Sequence, residues 1–202
     1  MIRPVAVSLN PVDVQIREGL ERRYLTPRFP AVPGSDVAGV VVELGADTPE
    51  FAIGDAVVGH AMKDYVGAGT LAEYVDMPVR STILKPHGLS FREAATLPLA
   101  AQTALQIVRR SGLGASSRVL VSGAAGGVGS FAVQLANRTG AFVVGTTSPK
   151  NFRYVESLGD ARDRLRGRPT RCHTNDRASR IRCHPRSCWW ACTRRRSDGH
   201  CR

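Results

Sequence analysis

Over residues 1–90 short apolar, β-branched runs alternate with turn residues. Residues 4–8, 37–43, 56–59, 71–75 and 81–84 are such runs, and Pro33-Gly34, Leu44-Gly45 and Ile53-Gly54-Asp55 punctuate them. That rhythm predicts short strands forming a small β-barrel. The period then changes. Residues 91–96 and 99–110 read as helices, the second carrying Ala100, Ala104, Ile107 and Val108 at helical spacing. A β-branched run at 118–122, a glycine-rich loop, a helix with Phe131, Val133, Leu135 and Ala136 as apolar members, and a second strand at 141–145 complete one β-α-β unit. No repeat or low-complexity linker interrupts residues 1–158.

The loop carries the first chemistry. Gly123, Gly126 and Gly129 form G-x-x-G-x-x-G, and Ala124-x-Gly126-x-x-Gly129 matches the dinucleotide fingerprint with Ala in place of its first glycine. Small residues let the backbone turn tightly, approach a pyrophosphate and pack helix on strand, while the helix N-terminus offers free N–H groups to the anion. A glycine turn without a ligand is the plain alternative; the strand before it and the helix and strand after it favour the nucleotide site. NAD-specific sites carry an acidic residue about 20 positions past the glycines. Here no Asp or Glu occurs between Glu93 and Glu156. Thr146, Thr147, Ser148, Lys150 and Arg153 stand there instead, a set able to hydrogen-bond and neutralise a 2′-phosphate, so NADPH is expected over NADH. The competing view makes Lys150 and Arg153 ordinary solvated charges at a helix start.

Composition divides the chain near Gly159. Of 202 residues, 1–160 hold 15 Lys/Arg and 14 Asp/Glu, whereas 161–202 hold 13 Arg, no Lys and 3 acidic residues, which places +10 of the +11 net charge in the tail. All five cysteines (Cys172, Cys183, Cys188, Cys192, Cys201) and both tryptophans lie there, with Leu165 and Ile181 as its only large aliphatic residues. Such a segment buries too little apolar surface to offset its conformational entropy, so disorder is expected over 160–202. Three readings of it compete: an Arg-rich arm for nucleic acid, a zinc site from Cys172-His173, Cys183-His184, Cys188 and Cys192 without recognised finger spacing, and a frame-shifted translation, preferred because the preceding sequence stops halfway through a fold. No apolar run of about 20 residues suits a membrane span and no signal peptide opens the chain, so a cytoplasmic location is expected.

Asn10-Pro-Val-Asp13, Val32-Pro-Gly-Ser-Asp-Val-Ala-Gly39, Gly54-Asp55, Gly69-Thr-Leu-Ala-Glu-Tyr74, Ala94-Ala-Thr-Leu-Pro98, Thr103-Ala104 and Gly123-Ala-Ala-Gly-Gly-Val-Gly129 occur in one order. In that order they resemble the medium-chain dehydrogenase/reductase superfamily, in its quinone oxidoreductase (zeta-crystallin-like) branch, over about residues 3–159. The resemblance implies an α/β fold: a partial GroES-like β-barrel over 1–90, linking helices and the first half of a Rossmann domain over 91–159, and an out-of-family tail from 160. Zinc-dependent relatives carry Cys where this chain has Asn10 and His-Glu where it has Ser35-Asp36, and the four-cysteine lobe is missing. Zinc-free hydride transfer from NADPH to a quinone or enone-type carbonyl compound is therefore implied. So are catalytic roles for Asn10, Asp13 and Gln15 beside the nicotinamide and Thr103 touching it, a pyrophosphate cradle of Ala125, Gly126, Gly127 and Val128 within Ala124 to Gly129, and Ser148 and Lys150 on the 2′-phosphate. The residues also admit plainer roles. Asn10 and Asp13 could cap the following turn, Thr103 could bond its own helix backbone, and His60 and His87 look isolated and structural. Full-length relatives are expected to be homo-oligomers. Lacking the family's leading strands and second half-sheet, this chain is expected to expose apolar surface and show little activity.

Overall fold

Polar termini and β-branched centres set the first sheet: β1 (Ile2–Ser8), β3 (Asp36–Val41), β4 (Ala56–His60) and β6 (Thr82–Leu84) run antiparallel in the order β1-β3-β4-β6. The structure is a computed structural model that describes residues 1–159 except 25, 47 and 62–64, together with Cys192–Arg194. Side chains alternate across the sheet. Ala38 and Val58 join Ala94 and Ala95 on one face, under the helix α2 (Phe91–Ala95); Ile2, Val41 and Val57 gather Leu44, Phe51 and Met77 on the other. Helix α1 (Pro11–Arg17) leaves β1 through its N-cap Asn10, with Pro11 where a missing N–H costs nothing.

Sequence alone overlooks one strand pair. β2 (Thr26–Val32) and β5 (Tyr65–Ala68) form a parallel ribbon that touches at Thr26↔Tyr65, Pro27↔Val66 and Val32↔Ala68. Two prolines in β2 remove ladder donors, which demotes the segment in any strand reading and confines its pairing to the ends. Conversely, residues 71–75 are not the expected strand: only Val75 bridges Ile2, by two N–H···O bonds of 2.8 Å. Upstream, Gly69 and Leu71 donate to Val32 and Pro33 carbonyls, so that backbone closes a loop instead of a ladder.

The second unit begins at Ala100, and Leu99 ends the first. Helix α3 (Gln102–Arg110) starts three residues later than its apolar spacing suggests. Leu97–Ala101 ahead of it winds as a wider π turn, consistent with Pro98 lacking an N–H. β7 (Arg118–Val121) and β8 (Phe142–Gly145) pair in parallel through α4 (Gly127–Arg138), and α5 (Phe152–Ser157) follows. Val119, Val121, Ala124, Val133, Ala136, Val143 and Val155 make its core, with Ala104 of α3. The expected disorder of 160–202 falls outside the described residues except at Cys192–Arg194, where a strand, β9, pairs antiparallel with β7 from Arg118↔Arg194 to Leu120↔Cys192.

One local device is a measurable stabiliser. The Ser90 hydroxyl accepts the Glu93 N–H at 3.2 Å while Glu93 accepts the Ser90 N–H at 2.8 Å and its hydroxyl at 2.7 Å, a capping box on α2. These bonds, the backbone one first, hold the Glu93 carboxyl below the usual carboxylate range. A lowered folded value means stability present above the ordinary range and lost as pH falls through the folded one. Ser90→Ala should cost about 1 kcal/mol in urea unfolding at neutral pH and weaken the acid dependence of that step.

Candidate functional site

In the second unit the glycine loop follows from steric demands that can be read atom by atom. Gly123 sits at φ +68°, a left-handed conformation a side chain resists, and its carbonyl accepts the Gly126 N–H at 2.9 Å to close the turn. Gly129 has no room for a Cβ, which would collide with the Gly123 carbonyl oxygen and come within 3.0 Å of the Ala124 Cα. Across the strand, a Cβ on Gly145 would stand 2.8 Å from that of Ala124. Helix, loop and both strands are thus drawn to backbone contact, the packing a close anion approach needs.

Helix α4 opens on Gly127, and the first intrahelical donor at this end is Ser130, which bonds the Gly126 carbonyl at 2.9 Å. The N–H groups of Gly127, Val128 and Gly129 are therefore left over by the helix, at its positive end. Gly126 and Gly127 are exposed, Ala125 half-buried, Ala124 and Val128 buried. A cradle of backbone donors that a side chain would fill fits a pyrophosphate.

Past β8, Thr146 braces the loop from the neighbouring strand. Its hydroxyl accepts the Gly123 N–H at 3.2 Å and its carbonyl the Ala124 N–H at 2.9 Å. Ser148, Lys150 and Arg153 are exposed, and neither Lys150 nor Arg153 pairs with a carboxylate among the described residues. Thr103 is half-buried on α3.

In the first unit, register assembles a polar row. Ser8 and Asp36 are partners across β1 and β3, and Asp36 and His60 across β3 and β4. All three stand at strand ends on one edge of the sheet. The Asp36 carboxylate is fully buried; Oδ2 accepts Ser8 Oγ at 3.0 Å and Asn10 Nδ2 at 3.0 Å, and Oδ1 lies 2.9 Å from His60 Nδ1. Beside it, buried Asp13 accepts the Asn10 N–H at 2.7 Å through Oδ2 and the Ser35 hydroxyl at 2.9 Å through Oδ1.

Asn10 and Asp13 are thus joined in one network and also serve the α1 N-terminus, whereas Gln15, two positions on, is exposed and outside it. His60 is not isolated: it is 22% exposed and bonded to a buried carboxylate. Sequence reading missed Ser8 and His60 because they lie 28 and 24 residues from Asp36; the legible signal was a polar residue closing each of two apolar strands and one opening a third. His87 is exposed. The nucleic-acid, zinc and frame-shift readings of the tail lie outside the described residues, and among those described no helix is long and apolar enough to cross a membrane.

Comparison with known proteins agrees with both halves. The alcohol dehydrogenase GroES-like domain matches residues 1–87. A chloroplast envelope quinone oxidoreductase homologue of Arabidopsis thaliana is 42% identical over 160 residues, 76% of this chain and 48% of the relative. An NADPH-dependent alkenal/one oxidoreductase of the same plant, chloroplastic, is 39% identical over 79% of this chain and 42% of its own. The structure of Escherichia coli quinone oxidoreductase complexed with NADPH superposes with a TM-score of 0.70 at 27% identity, over 79% of this chain and 48% of that one. The chain spans about half the length of the curated relatives it matches.

Proposed function

The chain belongs to the medium-chain dehydrogenase/reductase superfamily, and on that premise we propose that it is the barrel and first half-sheet of an NADPH-dependent reductase acting on quinones or enone-type carbonyl compounds. One observation carries the proposal: the turn from Gly123 to Gly129, closed to side chains at Gly129 and leaving three α4 N–H groups unpaired by the helix. An anion is the complement of that arrangement. The relatives named above supply the chemistry expected of it, one named for NADPH and alkenals and one solved with NADPH.

When bound, NADPH supplies the hydride; this chain's residues position and polarise. Ala125, Gly126, Gly127 and Val128 hold the pyrophosphate, with Ala124 and Gly129 fixing the backbone around it. Thr146 keeps the loop in register, and Ser148, Lys150 and Arg153 meet the 2′-phosphate as donors and cations. The family resemblance assigns contacts with the acceptor or the nicotinamide to Asn10, Asp13 and Gln15 of the first unit and to Thr103 of α3. At the positions where zinc-dependent relatives place ligands, Asn10, Ser35 and Asp36 are bonded among themselves and to Asp13 and Ser8, which supports chemistry without a catalytic zinc.

Fluorescence titration of the protein should show tighter binding of NADPH than of NADH. Lys150→Ala or Arg153→Ala should each weaken NADPH about tenfold, the scale of one charge-assisted hydrogen bond, and leave NADH unchanged. Equal affinities in the wild-type protein would sink the cofactor assignment.

A further inference from the structure

We infer that Thr146 is the positioning residue of the anion cradle: its hydroxyl fixes the Gly123 peptide and so sets the affinity for the pyrophosphate that NADPH and NADH share, without choosing between them. This rests on the cofactor reading above and deepens it. Thr146 makes three bonds onto the end of β7 and the loop. Its N–H donates to the Val121 carbonyl at 2.9 Å, its carbonyl accepts the Ala124 N–H at 2.9 Å, and its hydroxyl accepts the Gly123 N–H at 3.2 Å. Any residue but proline would make the first two through its backbone. Only the third depends on this side chain.

Gly123 needs that bond more than its neighbour does. It is exposed, at φ +68°, and a Cβ built on it meets nothing within 4 Å, so no packing holds it in place. Ala124, by contrast, is buried and packed against Gly145. A glycine free of packing adopts either sign of φ at little cost. Two hydrogen bonds hold this one: Thr146 takes its N–H, and its carbonyl takes the Gly126 N–H at 2.9 Å. The first restrains the peptide before its Cα, the second the peptide after it. The same carbonyl oxygen is the atom against which Gly129 closes in the first turn of α4. A shift of Gly123 therefore carries into the N–H groups of Gly127, Val128 and Gly129, the donors offered to the anion. Selectivity lies elsewhere: among the described residues no bond of Thr146 reaches 148–153, where exposed Ser148, Lys150 and Arg153 stand.

The test uses the full chain. Thr146→Val keeps the β-branched shape and removes the acceptor; Thr146→Ser keeps the hydroxyl. By fluorescence titration, Thr146→Val should weaken NADPH and NADH alike by about tenfold, the scale of one hydrogen bond, and Thr146→Ser should bind both within about threefold of wild type. In 15N-labelled protein without cofactor, the Gly123 amide should exchange at least about tenfold more slowly in the wild type than in Thr146→Val. Unchanged affinities in Thr146→Val overturn the inference. So does a loss confined to NADPH, which would place Thr146 on the 2′-phosphate, or a loss that Thr146→Ser shares, which would assign the effect to the methyl group and packing. Where Thr146→Val fails to fold by circular dichroism, the wild type decides: a Gly123 amide that exchanges as freely as an unstructured one overturns the inference. Failure of the wild type to bind either dinucleotide overturns the cofactor reading itself, and this inference with it.

Discussion

Gly129→Val should abolish cofactor binding and destabilise the second unit by about 3 kcal/mol, the range of overpacking a filled site. Two effects oppose each other at this position. A residue with a side chain is the better helix former by up to about 1 kcal/mol, but any Cβ here meets the Gly123 carbonyl oxygen and the Ala124 Cα, both backbone and unable to swing aside. Collision wins, and α4 must retreat from the strand that sets its N-terminus. Gly114→Ala is the matched control: its added methyl meets nothing within 4 Å, so stability should change by no more than about 1 kcal/mol. Urea unfolding followed by NADPH titration checks both. Near-wild-type NADPH affinity in Gly129→Val would mean that the close approach of helix and loop does not shape the anion site.

Asp36→Ala is the second large effect, expected to cost about 3 kcal/mol, since each donor left without its acceptor costs about 1–3 kcal/mol where it is buried. It strands His60 Nδ1, Asn10 Nδ2 and Ser8 Oγ at once, three part-buried donors around a carboxylate that is itself fully buried. Against a typical total of about 5–15 kcal/mol, that loss could unfold the first unit. Ser8→Ala removes one donor and leaves an acceptor with two others, so about 1 kcal/mol is expected. Should Asp36→Ala match Ser8→Ala in denaturant midpoint, the carboxylate is not the hub of this network. In the Asp36→Ala, His60→Ala double variant the costs should fall short of their sum, since the two side chains share one bond.

Much of this was legible because local chemistry dictated it. Residues 118–145 read correctly as strand, loop, helix and strand, since glycine spacing and β-branched runs act over a few residues. Strands β1, β3, β4 and β6 were equally plain. What failed was non-local. Segment 71–75 has a strand's composition, but its neighbouring donors are captured by Val32 and Pro33 carbonyls far upstream; β2 has a strand's backbone under a sequence whose prolines argue against it. The same holds for the polar row: Asn10 and Asp13 were singled out by the family resemblance, whereas Ser8, Asp36 and His60 meet only through strand register. Periodicity reports on a residue's own element and is silent about which row of the next strand it faces.

Thr146 bears on how the protein could be re-engineered. Because its hydroxyl and carbonyl hold the Gly123 and Ala124 N–H groups, Thr146 belongs to the loop's geometry, while the proposed 2′-phosphate contacts begin just after it. A specificity cassette exchanged over residues 147–153 should transplant cleanly, whereas one that begins a residue earlier drags the loop with it and confounds selectivity with affinity.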